Sequence, residues 1–550
     1  MRKFCLFLLL VMTNLAATHA QSDLWVQSTD RFRPATRLSI AEADSVLFRN
    51  TQIKVFKDGR ATNYMYNNLL GLSAQTDSSA ALVFDFPGRA IWKPTTSDNS
   101  YNNDYYNSNS RWNFQRSKES EHFIVFWDKG FGNNPNASSV PSNLRVDVND
   151  LLKKAEKFFQ TNVEKLEMAY LGEDKSQLDT YKMSIYLLYQ TEWLATGAGY
   201  DDVVGALWVN PSTCKPVGST IGHEIGHSFQ YQVACDYRKQ GVVNYGQRGW
   251  RYGFGANGAG GNGFWEQCAQ WQSFQDYPSE TFSYQISTWL NNYHRHLNHE
   301  WMRYASYWWP YHLVEKHGYP AYGLLWRSSK YPEDPLQTYM RLFCNNDLET
   351  FWDDYFEYAV KLQNYQFIDV HKYLANMYSA RNYKTKLYKT EDDYWQVAYA
   401  SCPETSGVNI IQLTGYKVGD EISAQFVGLE PGSALHASDP GHAFTEDGGS
   451  KYDLVTKYNT AGKAANCGWR YAFVAVVNDG TTAGNTVVSE MVKDNEGTAL
   501  FKVPDGTIRL SFLVVGTPKA YNRHEWNEKD IDDAQWPYKV QFQGCRPYGQ

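Results

Sequence analysis

The sequence predicts an α+β protein: a sheet-and-helix core followed by a C-terminal β-sandwich. Three observations carry this. Strand-like runs and a long amphipathic stretch precede a His-Glu-x-x-His segment at 223–227. Helical patterning then continues to about residue 380. Beyond Tyr383, seven short apolar or alternating runs follow one another between Gly, Pro, Asn and Asp turns.

Taken in order, residues 1–20 have a basic start (Arg2, Lys3), an apolar run over 4–12 and a small-residue exit at Thr18-His19-Ala20. This is the pattern of a secretory signal peptide. No later stretch is long and apolar enough to span a bilayer, so a soluble, exported chain is expected, periplasmic or extracellular. Residues 21–115 form a mixed N-terminal region. A short helix is expected over 39–49, a strand over 80–86, and a polar surface loop over 95–110.

Residues 116–380 read as the sheet-and-helix domain. A strand is expected over 122–127, and a helix over 149–171 capped by Asp147 or Asn149. Strands follow over 182–189 and 205–209, then the helix bearing 223–227, capped by Ser219 or Thr220. Residues 253–263 hold six glycines and read as a loop. Helices are expected over 264–276, 285–318, 336–344 and 348–364, with interruptions at Pro310 and Pro320. Residues 381–550 form the sandwich, with strands over 395–399, 408–413, 421–426, 471–477, 499–503, 508–515 and 538–542.

Composition narrows the function classes. The chain has 52 basic and 59 acidic residues, a net charge of −7, and no basic tract. Nucleic acid and anionic membranes are therefore poor partners. Aromatic residues make up 16% of the chain, enough to supply sugar-stacking or protein-grasping surfaces as well as core. Seven cysteines follow the leader; an odd count leaves at least one thiol unpaired within the chain. The expected pairings are Cys214 with Cys235, and Cys402 with Cys467 or Cys545.

The chemistry centres on Thr220-Ile221-Gly222-His223-Glu224-Ile225-Gly226-His227-Ser228-Phe229-Gln230. Four residues apart on a helix, His223 and His227 project from one face and can bind one divalent ion. Glu224 can reach a metal-activated water as general base. Catalytic zinc takes three protein ligands, so a third is needed. Gln230 and Val233 stand where a glycine and a third histidine would extend the motif, which points to an acidic ligand on a later helix. Glu266, flanked by Trp265 and Trp271, is the first candidate; Asp236 and Asp276 are the alternatives. His294, His296 and His299 read as surface residues.

On these residues, about 121–318 resembles a gluzincin metallopeptidase with a thermolysin-like sheet, HExxH helix and glutamate-bearing helix. His223-Glu224-Ile225-Gly226-His227 followed by Gln230 is similar to the HExGHxxQ form of enhancin-like, mucin-targeting peptidases. The layout also resembles a secreted zincin-like family of gut Bacteroidetes. The resemblance implies His223, His227 and Glu266 as Zn2+ ligands, Glu224 as general base, a Tyr or His from a later helix (Tyr304 and His312 are the candidates) as donor to an oxyanion, and hydrolysis of peptide bonds in a protein or glycoprotein substrate. The sandwich would hold a glycan or the substrate. Two other classes stay open: a non-catalytic glycan- or surface-binding protein on a vestigial zincin scaffold, and a glycoside hydrolase with paired carboxylates.

Overall fold

A computed structural model describes residues 23–39, 42–75, 88–95, 104–244, 248–250, 252, 262–282, 285–374, 377–441, 443–445, 452–480, 484–524 and 532–550. The expected leader, the strand over 80–86 and most of the glycine-rich stretch lie outside these residues. The chain falls into two compact units: Met1–Glu164 with Ala169–Val243, and Lys165–Met168 with Asn244–Gln550.

The first unit begins with six strands, β1 (Asp23–Ser28), β2 (Thr36–Ser39), β3 (Ser45–Phe48), β4 (Gln52–Lys57), β5 (Arg60–Met65) and β6 (Leu69–Gln75). They form two three-stranded antiparallel sheets, β2-β1-β6 and β3-β4-β5. The helix expected over 39–49 is therefore corrected to strand. Val46 and Phe48 alternate with exposed positions and pack on the Ile53–Val55 core, a period of two rather than of a helical turn.

The sheet that carries the site comes next. Its strands are β7 (Ala90–Ile91), β8 (Ser117–Glu119), β9 (Phe123–Trp127), β10 (Tyr181–Leu187), β11 (Ala195–Tyr200) and β12 (Val204–Val209). The order is β11-β12-β10-β9-β8, with β7 also pairing β10. Strands β9, β10 and β12 are parallel, while β11 and β8 run antiparallel at the two ends of this order. Every residue of β9 is buried, as expected of a parallel strand covered on both faces. One face meets Tyr105, Trp112 and Tyr200 around Ile124, Phe126 and Tyr186.

On the other face lie α1 (Val148–Gln160) and α2 (Ser219–Lys239). Phe159 of α1 packs against both Phe123 and Phe229. Asp147 caps α1 as expected, accepting from the backbone N–H of Asn149 and of Asp150. Helix α1 is shorter than expected and passes into a single wide turn over Thr161–Lys165.

The second unit holds α3 (Gly263–Phe274), α4 (Ile286–Asn292), α5 (Trp309–His317), α6 (Pro320–Arg327), α7 (Pro335–Phe343) and α8 (Leu348–Leu362). The helical stretch expected over 285–318, with an interruption at Pro310, is broken earlier and more widely: residues 293–308 are turns with one 3-10 turn at Glu300–Met302. Pro310 and Pro320 sit in the first turns of α5 and α6, where a missing N–H costs no bond.

Among the described residues, twelve strands follow: β13 (Leu387–Lys389), β14 (Trp395–Val397), β15 (Val408–Thr414), β16 (Glu421–Gly428), β17 (Ala443–Thr445), β18 (Tyr452–Leu454), β19 (Trp469–Val477), β20 (Asn485–Val488), β21 (Glu496–Lys502), β22 (Thr507–Gly516), β23 (Tyr538–Gln543) and β24 (Arg546–Pro547). All seven strands expected after Tyr383 are among them. They assemble into two five-stranded sheets, β13-β14-β23-β16-β21 and β20-β19-β22-β15-β24, with β17 and β18 as a separate pair. Ile422, Phe426 and Val540 of the first sheet share one apolar core with Tyr471, Phe512 and Val514 of the second. Phe426 stacks on Tyr471 with ring centroids 4.1 Å apart.

Helix α8 belongs to the same unit. Its Trp352 indole donates to the Pro518 carbonyl at 2.9 Å, and its Asp353 and Glu349 carboxylates pair with Arg470 of β19.

The seven described cysteines are all free thiols, so the expected disulfides are corrected. Six of the seven are buried and one, Cys545, is partly buried; they fill core as small apolar side chains.

Candidate metal site

Strand β12 delivers the chain to α2 through a tight turn at Pro211–Thr213. The helix starts at Ser219, with Gly218 as its N-cap and no capping side chain, which corrects the expected Ser219 or Thr220 cap. Fifteen of its 21 residues are buried, so packing rather than a cap holds it in place.

Glycines set how closely α2 lies on its neighbours. A Cβ on Gly197 of β11 would overlap the Glu224 carbonyl and stand 2.7 Å from Cβ of His227. One on Gly205 of β12 would stand 2.7 Å from the Ser228 carbonyl oxygen, and one on Gly222 would stand 2.7 Å from the Phe158 ring of α1. Polar contacts add to this: the Ser228 hydroxyl donates to the Ala206 carbonyl at 3.1 Å, and Gly205 N–H donates to Gln232 at 3.0 Å. The His-Glu-x-x-His face is thus held at backbone contact with β11.

His223 and His227 lie one turn apart, with ring centroids 4.6 Å apart and planes at 89°. One ligand atom from each, with one carboxylate oxygen of Glu266, form a group in which all three lie within 4.8 Å of one another. This is a zinc-binding donor set of the gluzincin HExxH…E pattern. Side-chain chemistry fits the ion: two imidazoles and a carboxylate suit Zn2+. Exposures of 9% for His223, 6% for His227 and 5% for Glu266 leave the ligands nearly dry, as they would need to be to hold a metal tightly. Glu224, 5% exposed, is adjacent to the first ligand.

The tautomer of His227 also fits. Gln230 Oε1 lies 2.9 Å from His227 Nδ1. An amide oxygen only accepts, so Nδ1 carries the proton and Nε2 keeps its lone pair.

Glu266 is in the first turn of α3, where the helix dipole favours an ionised carboxylate. Asn262 caps that helix by accepting from Phe264 N–H at 3.0 Å. All twelve residues of α3 are buried, with Phe264 and Trp265 against Trp326, and Trp271 against Tyr322. The Tyr252 hydroxyl donates to Glu266 Oε1 at 2.9 Å. Burial, then the Glu266 charge and its bond, then Tyr304, hold the Tyr252 hydroxyl above its ordinary range. Tyr252 was not singled out from the sequence, because nothing in the pattern there marks one tyrosine beside a glycine-rich stretch.

The alternative third ligands are placed elsewhere. Asp236 lies on α2 itself, accepting from Gln177 N–H at 2.9 Å and Gln232 Nε2–H at 2.8 Å, and burial pushes its carboxyl up to about 6. Asp276 follows the end of α3 and joins no metal-capable group among the described residues. Tyr304 lies in a turn, with the Arg303 guanidinium 5.5 Å from its ring centroid. His312 is on α5, with Nε2 3.1 Å from Asp354 Oδ1, and groups with Asp354 and Glu357.

The histidines expected at the surface are instead buried: His294 at 7%, His296 at 3% and His299 at 0%. They lie in a run of turns, and two of them satisfy backbone groups. His296 Nδ1 accepts from Asn298 N–H and His299 Nδ1 from Trp301 N–H, each at 3.1 Å. The Nε2 of His296 then carries the proton and donates to the Tyr521 hydroxyl at 3.2 Å, which itself donates to Asp334. That of His299 lies 3.0 Å from the Arg295 guanidinium and 3.4 Å from Asp533 Oδ2. His524 stands between Asp533 at 2.8 Å and Glu300 at 2.5 Å. Although these residues are spaced to hold an ion, the Arg295 guanidinium already occupies the cluster, against His299 and Glu404.

No helix among the described residues is long and apolar enough to cross a membrane. No curated protein and no solved structure matches the chain. One family model does match, across residues 86–549, from before the first parallel strand to the last strand of the C-terminal sheets. The chain belongs to that family, a family of unknown function designated DUF6055.

Proposed function

We propose that this protein is an exported zinc-dependent endopeptidase of the gluzincin type, with a thermolysin-like core and a C-terminal β-sandwich. The observation that carries the reading is the convergence of His223, His227 and Glu266, with Glu224 on the same helix. Bound zinc would supply a water of lowered pKa and polarise the scissile carbonyl.

The remaining work falls to side chains. Glu224 takes the proton of the attacking water and passes it to the leaving amine. Its burial keeps bulk water from competing for that proton. Tyr304, near enough to Tyr252 to act on it electrostatically, is the donor proposed for the oxyanion. The sandwich would hold a glycoprotein substrate.

The test is cleavage of casein and mucin by the purified protein beside Glu224→Gln, with zinc measured in both. The variant should keep about one zinc per chain and lose turnover by about 10²–10⁴-fold. A zinc-loaded wild type that cleaves neither substrate would remove the peptidase reading.

A further inference from the structure

We propose that Tyr252 is a positioning residue for the metal: its hydroxyl commits one oxygen of Glu266, so that the carboxylate offers the ion only the other. The inference rests on Glu266 being a ligand, and adds a residue outside the HExxH…E pattern.

The geometry is direct. The Tyr252 hydroxyl donates to Glu266 Oε1 at 2.9 Å, within the range of an O–H···O hydrogen bond. A carboxylate has two equivalent oxygens and, unconstrained, can bind a cation through either or both. An O–H donor on Oε1 lowers the electron density there and leaves Oε2 as the stronger donor. It also fixes the rotation of the carboxylate plane. This is the role that outer hydrogen bonds play for metal-ligating side chains generally, and their loss costs about 10–100-fold in affinity.

The two ends of this bond are held differently. Glu266 is fixed by its place in the first turn of a wholly buried helix. The Tyr252 ring packs edge-on against Trp265, with centroids 5.9 Å apart, yet the residue keeps 42% of its surface exposed. The ring contact aims the hydroxyl at the residue following Trp265. Phenylalanine would keep that contact and lose only the hydroxyl, which makes Tyr252→Phe a clean substitution. Gln230 stands to His227 as Tyr252 does to Glu266, each spending the non-coordinating atom of a ligand on a hydrogen bond.

The experiment compares the full-length wild type with Tyr252→Phe in three measurements: melting temperature without metal, zinc affinity by chelator competition, and the visible spectrum with Co2+ in place of zinc. The expected result is an unchanged melting temperature, zinc affinity weaker by about 10-fold, and a weaker Co2+ absorption as the released Oε1 raises the coordination number. Zinc affinity within about twofold of the wild type, with an identical Co2+ spectrum, would overturn the proposal and leave the peptidase reading intact. A wild type that binds zinc without cleaving peptides, with Tyr252→Phe still weakened, would remove the peptidase reading and uphold this one. A wild type that takes up neither metal would overturn both.

Discussion

His227 and Gln230 are joined by a hydrogen bond of 2.9 Å, from imidazole Nδ1–H to the amide oxygen, one turn apart on the same buried helix. The glutamine that breaks the longer three-histidine motif therefore has a positive role. It selects the tautomer with a lone pair on Nε2 and stops the ring from turning.

Replacing Gln230 with leucine keeps the volume and removes the acceptor. Zinc affinity should fall by about 10–100-fold, measured by chelator competition. Gln230→Glu keeps an acceptor at the same place and should retain affinity within a few fold. Equal affinities in the leucine variant and the wild type would show that the bond has no hold on the metal.

The approach of β11 to α2 makes a second prediction. Gly197→Ala places a methyl group against the Glu224 carbonyl and the His227 Cβ, with backbone on both sides and no flexible neighbour to yield. Overpacking of this kind costs about 1–3 kcal/mol. In a unit of this size, that corresponds to roughly 2–4 °C in melting temperature per kcal/mol. Because the strain falls on the motif itself, zinc affinity should drop as well. A melting temperature within about 1 °C of the wild type would mean that β11 shifts aside freely.

The same strand shows where sequence reading reached its limit. Ala195–Tyr200 is Ala-Thr-Gly-Ala-Gly-Tyr, with neither the β-branched content nor the apolar alternation that marks a strand. Its small residues are there because a helix lies on them, a tertiary demand that leaves no periodic signal. Strands β9, β10 and β12, buried on both faces, were legible as unbroken apolar runs. So were the seven strands after Tyr383, some alternating, as in β16, and others unbroken apolar runs buried almost throughout, as in β19.

The site was legible to the same degree. His223, Glu224 and His227 follow from helical spacing, and Glu266 from the need for an acidic ligand on a later helix. Gln230 was visible only as a departure from another motif, and Tyr252 not at all, since hydrogen bonds across fourteen residues obey no sequence period. His294, His296 and His299 were misread for the converse reason. Their spacing suits no helix, but turns can bury histidines whose ring nitrogens cap the backbone.

That buried cluster predicts a pH dependence. Burial, then the nearby Asp533 charge, pushes the Glu404 carboxyl up to about 7, against His299, Arg295 and His524, which pull it down. A carboxyl raised in the fold favours folding while protonated. Its contribution is complete below the unfolded value near 4.5 and is lost as pH rises through about 7. His524, held well above the ordinary imidazole range despite burial by its bonds to Asp533 and Glu300, acts in the same direction at higher pH. The difference in melting temperature between wild type and Glu404→Gln should therefore shift against the wild type between pH 5 and 7, about where Glu404 ionises. A difference that is flat across this range would place the titration elsewhere.

The cysteines yield a last prediction. Burial raises the thiols of Cys214, Cys344 and Cys545 up to about 12, and those of Cys268 and Cys402 further. Since the thiolate is the reactive form, such groups are inert at neutral pH while the fold persists. A disulfide-forming reagent such as DTNB, added to the native protein, should react slowly with Cys545, the one thiol that is not fully buried, and scarcely with the other six. After denaturation without reductant, all seven should react. The melting temperature should be the same with and without reductant, because no crosslink restrains the unfolded chain. Fewer than seven reactive thiols in the denatured, unreduced protein would mean that disulfides form among these residues in the protein as purified.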